Sequence, residues 1–179
     1  MQHITKIKLP VAPLVIALLC GIVTLWIYST IQAVAAINAV PEQQSSLPLL
    51  QVNTAERIVN QQRAAHGLAP YRSDAELRAS ACAKADDMLK RGYWDHKSPN
   101  GVTPWSFITA AGYKYHHAGE NLAKGYTDDV ELVQAWMDSP AHRANVLGEY
   151  EDQGICERTG TLNGKTTTLV VQHLGSRHE

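Results

Sequence analysis

Two histidines and one glutamate are the side chains best suited to chemistry in this sequence. His96 lies in a loop-like segment, Glu120 is a lone carboxylate in an otherwise uncharged stretch, and His142 follows a proline-initiated helix start. Two imidazoles and a carboxylate are the ligand types of an open zinc site, which keeps a position for water. The three residues are 24 and 22 positions apart, so only the fold can bring them together.

The elements that must position these residues alternate helices with short strands. A capping box at Ser73–Glu76 predicts a helix that ends at Gly92. The Thr103–Pro104 pair predicts a short helix before the glutamate, because proline suits the first helical position. Thr127 is predicted to cap the next helix, and Ser139–Pro140 begins the helical turn that carries His142.

The β structure is concentrated near the C-terminus. A strand is predicted for residues 113–118, and Asn163–Gly164 is the strongest short signal for a two-residue hairpin turn. That turn would place Cys156 opposite Val171, and the uncharged second arm is predicted to be covered on both faces. Helices on both sides of this hairpin predict an α+β fold, a three-layer α-β-α sandwich with a small antiparallel sheet.

The first 40 residues differ in kind from the rest. Lys6 and Lys8 precede a segment, 9–40, that has no acidic or basic side chain and contains an apolar run of roughly the length that spans a bilayer. The positive-inside rule leaves the N-terminus in the cytoplasm. Two interpretations stay open: a retained membrane helix, or a signal peptide cleaved after Ala33-Val34-Ala35. Both export the remainder of the chain.

The predicted organisation therefore has four parts. They are a cytoplasmic N-terminus at 1–8, an apolar helix that is a membrane anchor or signal peptide at 9–40, a linker at 41–49, and a single domain at 50–179.

Charge and cysteine content narrow the function classes. The residues after position 40 carry fourteen basic and seventeen acidic side chains, a net of −3, which excludes a strongly basic nucleic-acid binder. Cys82 and Cys156 fall in the domain. In an oxidising compartment they can pair, and the alternative is two buried free thiols.

A series of short motifs resembles the CAP superfamily (cysteine-rich secretory proteins, antigen 5 and pathogenesis-related proteins) in its bacterial, SCP-like extracellular branch. The order and spacing match from about Leu50 to Gly175. The motifs that carry the resemblance are His96-Lys97-Ser98-Pro99-Asn100-Gly101, Gly119-Glu120-Asn121-Leu122-Ala123 and Trp136-Met137-Asp138-Ser139-Pro140-Ala141-His142-Arg143-Ala144-Asn145.

The resemblance implies an α-β-α sandwich with a cleft lined by His96, Glu120 and His142. It implies that His96 and His142 can hold a weakly bound divalent cation such as zinc. Glu120 would orient a water or a histidine, or act as general base, and is the candidate catalytic residue. Asn121 would tie the cleft to backbone groups. Eukaryotic members carry a second cleft glutamate at the position of Ser139, which puts a two-carboxylate mechanism in doubt.

Three functions stay open at this stage. The first is a non-enzymatic envelope or extracellular binding module, with an envelope polymer, a lipid or a protein as ligand. The second is a metal-dependent, peptidase-like hydrolase, and the third is lipid or sterol binding by family analogy. The membrane is a further partner if the N-terminal helix is not cleaved, and nucleic acid is not expected.

Overall fold

The computed structural model describes residues 54–177, which form five helices and one four-stranded sheet. The helices are α1 (Thr54–Ala65), α2 (Ala75–Arg91), α3 (Pro104–Ala110), α4 (Asp129–Asp138) and α5 (Pro140–Val146), and the strands are β1 (Arg72–Ser73), β2 (Tyr115–Lys124), β3 (Asp152–Leu162) and β4 (Lys165–Arg177). The predicted apolar helix and linker lie outside this range. None of the helices between 54 and 177 has the length and apolar character needed to cross a bilayer.

The sheet has the order β1-β3-β4-β2, which puts β4 in the interior and β2 at an edge. The predicted hairpin joins β3 to β4 and places Cys156 opposite Val171. Asn163 and Gly164 both have positive φ angles, 52° and 78°, as this turn requires. The strand β4 is continuously buried from 169 to 176, which agrees with a strand covered on both faces.

The sheet departs from the purely antiparallel prediction at one edge. The two-residue strand β1 pairs with β3 in parallel, through Arg72 opposite Asp152 and Ser73 opposite Gln153. A strand of two residues carries no readable alternation in the sequence, so this pairing is invisible without the tertiary structure.

Helices cover both faces of the sheet and give the predicted three layers. Helices α1, α4 and α5 pack on one face around Ile58, Trp136 and Val170. Helix α2 packs on the opposite face around Met88 and Val171, and α3 packs beside α2. Because side chains alternate along β4, successive residues pack into two separate apolar cores, one on each face of the sheet.

Two helix caps lie one residue later than predicted. The N-caps are Asp74 and Asp128, not Ser73 and Thr127. Each aspartate accepts two backbone N–H groups at 2.8–2.9 Å. A carboxylate satisfies the same donors as a hydroxyl and also carries the negative charge that the positive end of a helix dipole favours.

The strand β2 is longer and later than the predicted strand at 113–118. It continues through Glu120 to Lys124 because its backbone pairs with β4 from Tyr115 to Lys124. The segment has few β-branched residues, so pairing rather than propensity makes it a strand.

A disulfide between Cys82 and Cys156 joins α2 to β3, with Cα atoms 5.1 Å apart. The helix lies close to the strand because Gly154 has no side chain. A Cβ atom at this position would lie 2.1 Å from the backbone nitrogen of Arg78. The disulfide thus reinforces a contact that already needs glycine.

Candidate functional site

Strand β2 directs Glu120 and Asn121 to opposite faces of the sheet. Glu120 stands opposite His173 of β4, and Asn121 stands opposite Gln172. Because successive strand side chains alternate between faces, Glu120 points to the α2 side and Asn121 to the α5 side. The edge of the sheet can therefore bring together groups from both helical layers.

His96 is held directly over Glu120. Its Nδ1 atom lies 2.5 Å from Oε1 of Glu120. The His96 side chain is 56% exposed, whereas that of Glu120 is 1% exposed. An ionised carboxylate can only accept, so Nδ1 of His96 donates the hydrogen, and Nε2 is the ring nitrogen left for a ligand.

His173, which the sequence interpretation did not assign to the site, is the second partner of Glu120. The imidazole is fully buried, and its Nε2 lies 3.0 Å from Oε2 of Glu120. Its Nδ1 lies 2.6 Å from Oγ of Ser80 in α2. Both oxygens of Glu120 are therefore engaged by histidines, one exposed and one buried.

Ser80 links His173 to helix α2. Its Oγ donates to the Leu77 carbonyl at 2.7 Å and lies 2.6 Å from Nδ1 of His173. Because an ionised carboxylate can only accept, Nε2 of His173 donates to Glu120. A continuous chain of hydrogen bonds therefore connects Leu77, Ser80, His173 and Glu120.

Burial and hydrogen bonding have opposite effects on the pKa of the Glu120 carboxyl group. Burial raises its pKa, but the hydrogen bonds from His173 and His96 outweigh burial, so the pKa of Glu120 is lowered overall. The same hydrogen bond to Glu120 raises the pKa of His96, against a smaller effect of burial. Glu120 is therefore an ionised anchor for two rings.

Lys84 is a further residue that the sequence did not reveal as part of the site. It is fully buried in α2. Its ammonium donates to the backbone carbonyls of Asp95 and His96 at 2.8 and 2.7 Å and to the Tyr93 hydroxyl at 3.1 Å. Burial lowers the pKa of Lys84, and the negative charge of Glu120 acts in the opposite direction. All three hydrogens of Lys84 thus fix the loop that carries His96.

His142 approaches from α5 and shares a depression with His96. Burial lowers the pKa of His142, and the nearby His96 lowers it further. Asn121 donates to the His142 carbonyl at 3.2 Å and accepts from Asn145 at 2.8 Å. Asn121 therefore ties α5 to the sheet through the His142 carbonyl and the Asn145 amide.

The cleft beside these groups has a volume of about 380 Å³. Trp105 and Tyr150 form part of its walls, and His96 and Gly119 also line it. Ser98 does not face it as a nucleophile, since its buried hydroxyl accepts from the Val102 N–H at 3.0 Å and bonds Asn100 at 2.5 Å. The structure brings together His96, Glu120 and His142, and it uses Ser98 to close the loop.

The donors present do not make up a closed structural zinc site. Across residues 54–177, no group of three or more His, Cys, Asp or Glu side chains is arranged to hold a metal ion. His96 and His142 supply two imidazoles, and both oxygens of Glu120 are engaged. A closed structural site has four protein ligands. Two histidines would leave the remaining positions to water or ligand, where a cation would supply Lewis acidity.

We expect zinc affinity to fall with falling pH. Protons compete for the ligand nitrogens, and His96, whose pKa is raised, takes up its proton at a higher pH than an ordinary histidine near about 6.5. Calorimetric titration of the chain with zinc should show weak binding that is reduced at about pH 6 and absent in His142→Ala. The exposed His66→Ala is the matched control and should bind as the wild type does. A pH-independent affinity would remove these two residues as ligands.

The comparisons with known proteins agree with this architecture. The family model described as CAP, cysteine-rich secretory protein family, matches residues 56–169. The chain is 42% identical over 90 residues to the protein YkwD of Bacillus subtilis (strain 168), which covers 50% of this chain and 35% of that protein. It is 28% identical over 99 residues to the membrane protein YlbC of the same organism, covering 55% of this chain and 29% of YlbC. The chain thus spans about a third of the length of these relatives.

Solved structures share the fold. An extracellular protein containing an SCP domain from Bacillus anthracis superposes with a TM-score of 0.60 at 25% identity, covering 69% of this chain and 39% of that one. An outer surface protein from Borrelia burgdorferi gives a TM-score of 0.59 at 19% identity, covering 72% and 97%. The second of these likenesses concerns the fold alone. The family match over residues 56–169 shows that the chain belongs to the CAP family.

Proposed function

We propose that this chain is an exported CAP-domain protein whose cleft recognises a component of the cell envelope without changing it chemically. The observation that carries the proposal is the engagement of both Glu120 oxygens by His96 and His173. A general base needs a free lone pair within reach of the substrate. Glu120 lies behind the His96 ring, so the cleft offers donors and aromatic surface rather than a carboxylate base.

Export is supported by two separate observations. The Cys82–Cys156 disulfide is typical of proteins that mature outside the reducing cytoplasm. The Bacillus anthracis protein with the same fold is described as extracellular. We propose a location outside the cytoplasmic membrane, with the N-terminal segment acting as an anchor or as a cleaved signal.

Binding is tested with purified chain and isolated cell-envelope fractions. We expect saturable binding that weakens about fivefold or more in the variant His96→Ala, because loss of a hydrogen bond to the ligand costs about 1 kcal/mol or more. The variant Arg158→Ala, on the far hairpin, is the control and should bind as the wild type does. Equal binding by all three proteins would contradict a role for the cleft. The bound fraction should be recovered chemically unaltered.

A hydrolase is the second candidate, because one specific contact favours it. Glu120 orients His96 at 2.5 Å, as a carboxylate orients a catalytic imidazole. In that case Glu120→Gln should lower turnover of an envelope ester or amide by orders of magnitude. Equal rates for wild type and Glu120→Gln, or no turnover at all, would leave the binding role.

A further inference from the structure

Two further depressions share a lining residue with the cleft beside His96. One of about 280 Å³ shares His96, and one of about 470 Å³ shares Trp105. We call these three neighbouring compartments the groove, with His96 and Trp105 at its two internal boundaries. A groove with three successive compartments suits an extended ligand better than a compact one.

Aromatic surfaces line the groove on two sides. Trp105 is 39% exposed, which makes its indole an accessible apolar face in a domain that buries Trp136 almost completely. Tyr150 faces the same compartment, and its ring stacks on that of His117 with centroids 4.9 Å apart and planes 14° apart. A Cβ atom at Gly119 would lie 2.6 Å from the Tyr150 hydroxyl, so the Tyr150 ring packs directly against the backbone of Gly119.

Uncharged hydroxyl groups continue along the groove from α3. Thr103 lines the middle compartment, and Ser106 and Thr109 line the third. Both oxygens of the Glu120 carboxylate bond histidine rings, and the carboxylate does not face the ligand. The polar surface that a ligand would meet in these two compartments is therefore made of hydroxyls, imidazole, the Asn145 amide and the Lys97 ammonium.

The edge of β2 is closed to an added peptide strand where it passes the groove. Asn145 donates to the Glu120 carbonyl at 2.9 Å, and the Trp136 indole donates to the Leu122 carbonyl at 3.3 Å. Strand addition requires free edge carbonyls and N–H groups. Side chains occupy these two positions, which disfavours an extended polypeptide as the ligand.

We propose that the groove binds a linear glycan strand, with sugar rings lying against Trp105 and Tyr150 and their hydroxyls bonding the polar groups between them. The inference rests on the proposed binding function and names the ligand class. Sugar rings present an apolar face and a polar rim, which matches aromatic walls with hydroxyl groups along the floor. Three compartments predict that affinity grows with the number of rings.

The test uses N-acetylglucosamine oligomers of different lengths with the full chain in lipid nanodiscs, measured by calorimetry. From a dimer to a hexamer we expect affinity to rise about tenfold or more, and Trp105→Ala to lower hexamer affinity about tenfold, as loss of one aromatic contact implies. Val130→Ala removes another exposed apolar side chain, on α4, and should leave affinity unchanged.

Three results would overturn the glycan assignment. They are equal affinity for dimer and hexamer, equal hexamer binding by Trp105→Ala, and Trp105-dependent binding of an extended decapeptide in place of the sugars. Envelope binding that needs His96 without any oligosaccharide binding would refute the glycan and keep the proposed function. Loss of both would refute both.

Discussion

Replacing His173 with alanine is expected to lower the free energy of unfolding by about 3–5 kcal/mol, because it leaves a buried carboxylate oxygen without its donor and opens a cavity. The variant leaves Oε2 of Glu120 without its hydrogen bond in a site that water does not reach, since the Glu120 side chain is 1% exposed. It also removes the ring nitrogen that Ser80 contacts and leaves a cavity between α2 and β4. Urea unfolding monitored by circular dichroism measures the loss.

His142→Ala is the matched control for this prediction. It removes the same type of side chain from the neighbourhood of His96, but the His142 ring lines a surface depression and is only partly buried. We expect a change within about 0.5 kcal/mol, as for substitutions away from buried networks. Equal destabilisation by the two variants would show that the Glu120–His173 contact contributes nothing beyond packing.

Removing the disulfide is expected to cause the second large loss of stability. The double variant Cys82→Ala/Cys156→Ala should lose about 4 kcal/mol of stability, because the bond closes a loop between residues 74 positions apart and restricts the unfolded chain. Equilibrium urea unfolding, with the slope of the transition reported alongside its midpoint, measures this loss.

Reductant provides the control for the disulfide. Added to the wild type, it should reproduce the stability of the double variant, and added to the double variant it should change nothing. A wild-type protein whose unfolding midpoint is the same with and without reductant would contradict the prediction.

The sequence predicts the elements well where local chemistry decides them. The cap-and-proline pair at Ser139–Pro140, the turn at Asn163–Gly164 and the αL glycine Gly92 are all signals contained in a few neighbouring residues. The caps at Asp74 and Asp128 were missed by one residue because two neighbouring side chains can accept the same N–H groups.

The sequence predicts some of the residues at the site and misses others. Motif resemblance identifies His96, Glu120 and His142, but the role of His173 depends on how β2 aligns with β4, and a strand register set by packing has no local signal. The hairpin register alone puts His173 on the same face as Val171 and Cys156, which was a readable hint. No sequence signal indicated the buried role of Lys84, because a lysine in a helix is usually exposed to solvent.

Two attachments on helix α2 connect the disulfide to the loop that carries His96. Cys82 bonds α2 to β3, and Lys84, two residues later, bonds the loop that carries His96 to α2. While the cysteines are reduced, this part of α2 is held to the sheet by noncovalent packing alone. Oxidation of the two cysteines therefore adds a covalent link between the sheet and the helix whose lysine supports the His96 loop.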